Sequence, residues 1–188
     1  MGKITAIVGS SRKGANCDAI VNAVMDGAMG LSTNEITLHY LVDFRSARGC
    51  KACMKCKIAG ECSQDDEITD LLKEMKEANG IIISTPVYFD GPSAQLKVLI
   101  DRMYSYYNLD MTSNFPKGKD IVIIVTCGKN TEAAEHVRDE LETIMVKRFG
   151  GNLLGSIVFC DEGSKDAAAN DKKIFDEAVE IGRKMRNN

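Results

Sequence analysis

The chain has 188 residues, 24 basic and 27 acidic, for a net charge of −3, and 44% of its residues are hydrophobic. That length and mixture suit a folded domain with a full core, and the slightly acidic balance gives no electrostatic reason for a nucleic-acid or anionic-membrane partner. No apolar run approaches the roughly 18–20 residues of a membrane span.

The N-terminal "MGKITAIVGSS" is apolar for only a few residues before glycine and serine. Ile4–Val8 therefore reads as a first strand and turn rather than an export signal, and a cytoplasmic location is the expectation. Seven cysteines in a reducing setting predict metal or redox chemistry rather than a disulfide scaffold. Apolar residues at helical spacing (Ile20, Val21, Val24, Met25, Ala28) predict a helix over Asp18–Leu31. Glu35–Val42 alternates as a strand, and a cysteine-rich segment follows at about 47–65. Glu67–Ala78 is an amphipathic helix, stopped by Asn79-Gly80. Gly80–Gly91, "GIIISTPVYFDG", is a buried strand running into a proline turn, and Ser93–Tyr107 is the next helix. Lys119–Gly128 is another continuous apolar strand, followed by a helix over Thr131–Arg148. Asn152–Cys160 is a fifth strand and Asp166–Met185 a terminal helix.

Five strands alternating with five helices predict an α/β fold: a doubly wound, five-stranded parallel sheet with helices on both faces, strand order 2-1-3-4-5. The third and fourth strands are apolar throughout, as strands buried on both faces must be. In that order the switch-point crevice lies beyond the carboxyl ends of strands one and three. The loops after strands one, three and four should then carry the binding chemistry.

Each of those loops fits. The first, "GSSRKGANCDAI", sets Ser10, Arg12, Gly14, Asn16 and Cys17 between a strand and a helix. Small residues let backbone N–H groups close on an oxyanion at a helix end, and Arg12 can add a charge-assisted bond. It matches neither the P-loop nor the GxGxxG pattern, and an ordinary polar turn is the plain alternative. The second, "STPVYFDG", offers Thr85, Pro86, Val87 and the aromatic pair Tyr88–Phe89, which suits a flat ring with polar edges. Alone, these aromatics would read as a core cap. The third, "TCGKN", brings Cys127 and Gly128 to a strand end. A phosphate site at strand one and a flat-ring site at strands three and four together describe a mononucleotide, and FMN has that shape.

The stretches "GSSRKGANC", "GCKACMKC…GEC…DD" and "STPVYFDGPSAQLKVLIDR", in order over residues 3–128, resemble the NADPH-dependent FMN reductase and iron–sulfur flavoprotein family of the flavodoxin-like fold. The resemblance implies a single FMN-binding domain over residues 1–188. Carried over by position, Ser10, Arg12, Asn16 and Cys17 would hold the FMN phosphate. Pro86, Val87, Tyr88, Phe89, Cys127 and Gly128 would line the flavin ring. The chain departs from the family's first loop at Ser11 (usually proline), at Ala15-Asn16 (usually Gly-Asn) and at Cys17 (usually a hydroxyl). The family's dimers and tetramers imply a homodimer or homotetramer through the region of Tyr104, Tyr106 and Tyr107.

Cys50, Cys53, Cys56 and Cys62 follow the spacing C-x2-C-x2-C-x5-C. Neighbouring x2 cysteines rarely meet disulfide geometry, and zinc favours two well-separated CxxC pairs. A compact run of three with a fourth nearby suits one 4Fe–4S cluster, and the family resemblance points the same way. Zinc or a metal-free loop remains the alternative. Because the loop follows strand two, it is expected on the flavin's side of the sheet.

Two enzyme readings follow. In one, electrons pass from a one-electron donor such as ferredoxin through the cluster to FMN and on to a small acceptor: oxygen, peroxide or a quinone. In the other, NAD(P)H reduces FMN directly and the cysteine loop is secondary. A non-catalytic redox sensor or zinc-bearing module is a third reading. His39, His136 and Asp101-Arg102 read as structural, and Cys160 as core.

Overall fold

In the computed structural model, which describes residues 2–30, 33–161 and 164–185, the apolar runs pair into a sheet of parallel strands. The strands are β1 (Lys3–Val8), β2 (Glu35–Tyr40), β3 (Gly80–Tyr88), a two-residue β4 (Gly91–Pro92), β5 (Asp120–Cys127) and β6 (Asn152–Cys160). The parallel order is β2-β1-β3-β5-β6, and β4 only folds back on the end of β3. Setting that hairpin aside, this is the predicted 2-1-3-4-5 arrangement.

The helices are α1 (Asn16–Met29), α2 (Cys56–Ala59), α3 (Glu67–Glu77), α4 (Ala94–Arg102), α5 (Thr131–Glu142), α6 (Ala167–Asn170) and α7 (Lys172–Arg183). Successive strand residues point to opposite faces, so each central strand feeds two cores. Ile81, Ile83, Ile121, Ile123 and Val125 pack with Leu71, Leu99 and Val137 of α3, α4 and α5. Ile82, Val122 and Ile124 pack on the other face with Val21, Val24 and Ile181 of α1 and α7. In the second layer α1 and α7 approach closely because they meet at glycines. A Cβ on Gly182 would lie 2.0 Å from the Val24 carbonyl oxygen, and one on Gly27 would lie 2.1 Å from that of Val179.

Several predicted bounds shift for local reasons. The expected end of α1 at Leu31 lies outside the described residues. The helix expected over Thr131–Arg148 widens after Glu142, where the Phe149 N–H reaches back five residues to the Ile144 carbonyl at 3.2 Å. The terminal helix is broken at Asp171, whose carboxylate accepts the Lys173 and Ile174 N–H groups at 2.9 and 3.1 Å and starts α7 afresh. Among the described residues no helix is long and apolar enough to cross a membrane.

Candidate functional site

The carboxyl ends of β1, β3 and β5 open onto a cleft of about 300 Å³, at the small end of the usual range for ligand sites. Ser10, Arg12, Asn16, Cys17, Pro86, Val87, Tyr88, Cys127 and Gly128 line it. Gly14, Thr85 and Phe89, also expected there, stand outside its wall.

The first loop is shaped from within. Buried Ser10 accepts the Arg12 N–H on Oγ at 3.1 Å. Gly14 takes a positive φ of 68°, which favours glycine, and donates its N–H to Asp18 at 2.6 Å. Asp18 is itself buried and also accepts from the Tyr40 hydroxyl at 2.7 Å. Burial, then this carboxylate, pushes the Tyr40 phenol up to about 12. No side chain caps the N-terminus of α1. Its first N–H groups and its positive end are therefore free to serve an anion.

Among the described residues the Arg12 guanidinium makes no hydrogen bond or ion pair. Asn16 is engaged at both ends: its Nδ2 donates to the Ser164 carbonyl at 3.1 Å and its Oδ1 accepts the Ala168 N–H at 3.0 Å. Cys17 is buried with Sγ 3.1 Å from the Thr126 hydroxyl, and burial pushes its thiol up to about 11. It is a neutral wall residue at ordinary pH.

The second loop turns on itself. Thr85 is buried and spends its hydroxyl on the Ser93 N–H at 3.0 Å and the Pro86 carbonyl at 2.9 Å. Ser93 caps α4 and donates to the Gly9 carbonyl at 2.7 Å, which ties the second loop to the first. Gly9 must be glycine, since a Cβ would sit 2.8 Å from the Ser84 carbonyl oxygen. Phe89 and Asp90 form the tip of the β3–β4 hairpin with φ of 47° and 60°. The tip leaves Phe89 exposed, while Tyr88 stays on the cleft wall.

In the third loop the structure corrects an expectation. Cys127 and Cys160, read from sequence as a strand-end residue and a core residue, are joined as a disulfide with Cα atoms 4.5 Å apart. They are register partners at the ends of β5 and β6. Sequence reading also missed Asp161, Ser164 and Lys165 on the cleft wall. The available signal was that the segment after β6 leaves a strand at the same edge.

The cysteine loop is a second site. Ala52 and Met54 both take left-handed φ, 51° and 58°, and so does Gly60 at 75°, so the chain curls. Cys50, Cys53, Cys56 and Cys62 all line one small cavity, with Ser63 and Arg102. The Lys55 backbone N–H, then the Ser63 hydroxyl, hold the Cys53 thiol below its ordinary value. Among the described residues no group of three or more His, Cys, Asp or Glu side chains stands at metal-binding spacing. In donor chemistry the set fits a thiophilic centre: four cysteine sulfurs and the Met54 thioether share one cavity, and among the described residues no carboxylate lines it.

Arg102, read as structural, is the organising side chain of this loop. It is fully buried and donates from Nε to Cys62 Sγ at 3.1 Å and from Nη1 to the Arg48 carbonyl at 2.8 Å. Its fork meets both Asp66 oxygens at 2.8 and 2.9 Å and the Thr69 hydroxyl at 2.6 Å. Lys57 of α2 fastens the other side, donating to the Tyr104 and Tyr107 carbonyls, each at 2.6 Å.

The loop and the cleft are lined separately. Its cavity shares no lining residue with the cleft. The start of α4 is bonded to Gly9 at the cleft, and its last residue is bonded to Cys62. The nine residues of α4 put about 13 Å between these ends at 1.5 Å per residue.

With this geometry in view, the comparison with known proteins is decisive for the family. The profile of the NADPH-dependent FMN reductase family matches residues 2–164. The chain belongs to that family. It is 38% identical over 102 residues to an iron–sulfur flavoprotein of Methanosarcina thermophila, covering 53% of this chain and 51% of that protein. It is 40% identical over 102 residues to an iron–sulfur flavoprotein of Methanocaldococcus jannaschii, with the same coverage. The match thus spans about half the length of these curated relatives. The NAD(P)H:quinone oxidoreductase of Methanothermobacter marburgensis superposes over 98% of this chain and 99% of its own, with a TM-score of 0.73 at 14% identity. That likeness establishes the flavodoxin-like fold.

Proposed function

We propose that this FMN reductase family member holds FMN in the cleft and a 4Fe–4S cluster in the cysteine loop, and passes electrons from a one-electron donor such as ferredoxin to a small acceptor. The acceptor class is oxygen, peroxide or a quinone. The observation that carries the cluster half is that all four loop cysteines line one cavity with a buried arginine against Cys62. FMN supplies the coupling between one- and two-electron steps, and the cluster supplies single-electron transfer.

The chain's own residues do the rest. Arg12 and the first N–H groups of α1 bind the phosphate. Asp18 and Ser10 keep that loop in its turn. Tyr88 and Pro86 orient the ring, while Gly128 lets it approach the β5 backbone. Cys50, Cys53, Cys56 and Cys62 would be the cluster ligands, and Arg102 fixes the Cys62 sulfur in place through its Nε–H. A cytoplasmic homodimer or homotetramer remains part of this proposal. Its contact face is the apolar cleft of Tyr104, Tyr107, Ile144 and Phe149 beside Cys50.

A second reading is favoured by one specific observation, the span of α4 between the two sites. In it NAD(P)H reduces FMN directly and the cysteine loop takes no part. One preparation separates the two. Protein purified and reconstituted anaerobically should show flavin bands with a broad iron–sulfur shoulder, together with iron and sulfide. The Cys56→Ser protein should lose iron and sulfide and keep FMN. Equal iron in both proteins, or zinc in place of iron, would sink the cluster and leave the direct reductase.

A further inference from the structure

We propose that Cys127 and Cys160 form a further redox centre, a dithiol–disulfide pair that exchanges an electron pair with flavin in the adjoining cleft. Three placements carry it. The two residues face each other in the β5–β6 ladder with Cα atoms 4.5 Å apart, inside the range a disulfide requires. Cys127 is part of the cleft wall beside Pro86 and Gly128, and Asp161, the residue after Cys160, is on that wall too. Behind the pair lies the α3–α5 side of the core, against which both cysteines pack. The cleft is therefore the open approach to the sulfurs.

The ladder also argues for cycling over stapling. A disulfide stabilises mainly by restricting ends that would otherwise wander. Here eight register pairs already hold β5 to β6, and the Asp161 N–H bonds the Cys127 carbonyl at 3.0 Å just beyond them. Opening the bond leaves the two thiols where they were, ready to close again. On opening, the S–S bond breaks and the sulfurs together take up two electrons and two protons, with reduced flavin as the donor. On closing, the thiols return the same two electrons and two protons to oxidised flavin as the S–S bond forms. The pair thus holds one flavin's worth of electrons next to the cleft.

This inference rests on FMN occupying the cleft, so flavin content is measured first. FMN-loaded protein is oxidised, freed of small molecules and titrated anaerobically with dithionite. Samples are acid-quenched and alkylated, and the peptides carrying Cys127 and Cys160 are quantified by mass. Both cysteines should become alkylated as the flavin bleaches. Flavin-stripped protein should stay closed over the same time. The wild type should take up about two electron equivalents per protomer more than Cys160→Ser, as a two-electron couple requires. Equal uptake overturns the pair. So does a bond that stays closed beneath fully bleached flavin, or one that opens as fast without it. The alkylation arm needs no variant, so a Cys160→Ser protein that folds poorly does not decide the matter. Protein that binds no FMN refutes the cleft reading and the exchange together. Bound flavin beside an unmoved disulfide refutes the exchange alone.

Discussion

Replacing Asp66 by asparagine should cost about 3 kcal/mol of folding stability, the lower end for breaking a buried ion pair. Asp66 and Arg102 are both buried, with side chains only 3% and 0% exposed, and their two-pronged contact is the sole ion pair recorded for that guanidinium among the described residues. Asparagine keeps the α3 cap and one acceptor, so the loss isolates the charge; alanine should cost about 1 kcal/mol more by removing the cap. At a urea slope of about 2 kcal/mol per molar, the midpoint should fall by about 1.5 M. Burial alone would raise the Asp66 carboxyl, but the Arg102 bonds and the Thr69 N–H bring it below its ordinary value of 3.8. A depressed carboxylate stabilises above its unfolded value and loses that contribution as pH falls through its folded value. The gap between wild type and Asp66→Asn should therefore be constant from pH 7 to 5 and narrow below pH 4. The assay is urea unfolding of FMN-saturated protein followed by far-ultraviolet circular dichroism. A gap under 1 kcal/mol at pH 7, or one that persists undiminished at pH 3, would refute the reasoning.

Arg12→Ala should weaken FMN binding by roughly 10–100-fold in fluorescence titrations, from about 1.5–3 kcal/mol for a hydrogen bond to a charged group. Asn16→Ala should act differently: it frees Ser164 and Ala168, so faster proteolysis at that loop should accompany any loss of flavin. Gly182→Ala should destabilise by at least about 1–3 kcal/mol in thermal or urea unfolding, because the new Cβ meets backbone rather than a movable side chain. Between pH 9 and about 11 the unfolded Cys17 thiol ionises while the folded one does not, so stability should fall there as pH rises. Cys17→Ala should shrink that slope, leaving the part that the raised Tyr40 phenol adds near pH 10 and above, read as unfolding midpoints at pH 8, 9.5 and 10.5.

Much of the fold is legible because burial on two faces leaves a plain mark. Ile81–Ile83 and Ile121–Val125 have no polar position to spare, and only a central parallel strand demands that. What was not legible depends on atoms brought together from afar. Asp171 interrupts the terminal helix by offering its carboxylate to two N–H groups, a local competition that helical periodicity does not register. The widened turn after Glu142 ends where Gly151 must pass close to Met145 and Ile121, a constraint set by packing.

The site divides along the same line. Ser10, Arg12, Pro86, Tyr88 and Gly128 could be placed because each follows a strand at one sheet edge, and topology alone gathers them. Phe89 broke the pattern because two consecutive left-handed residues carry it over the hairpin tip, out of the cleft. The cysteine loop was legible only in part. Its spacing said what it could bind, but its position was set by Arg102, 40 residues from Cys62, whose buried fork needed an acidic partner and found Asp66 at the head of α3. A charge that must be paired before it can be buried pulls the loop to the end of α4. That contact is at the opposite end of α4 from the Ser93 cap, which bonds Gly9. Of the chain's seven cysteines, Cys127 and Cys17 line the cleft, and of these two only Cys127 has a sulfur partner. The cleft thus has the strand-end pair on its wall, while the four-cysteine loop meets the Tyr104–Phe149 surface through Cys50.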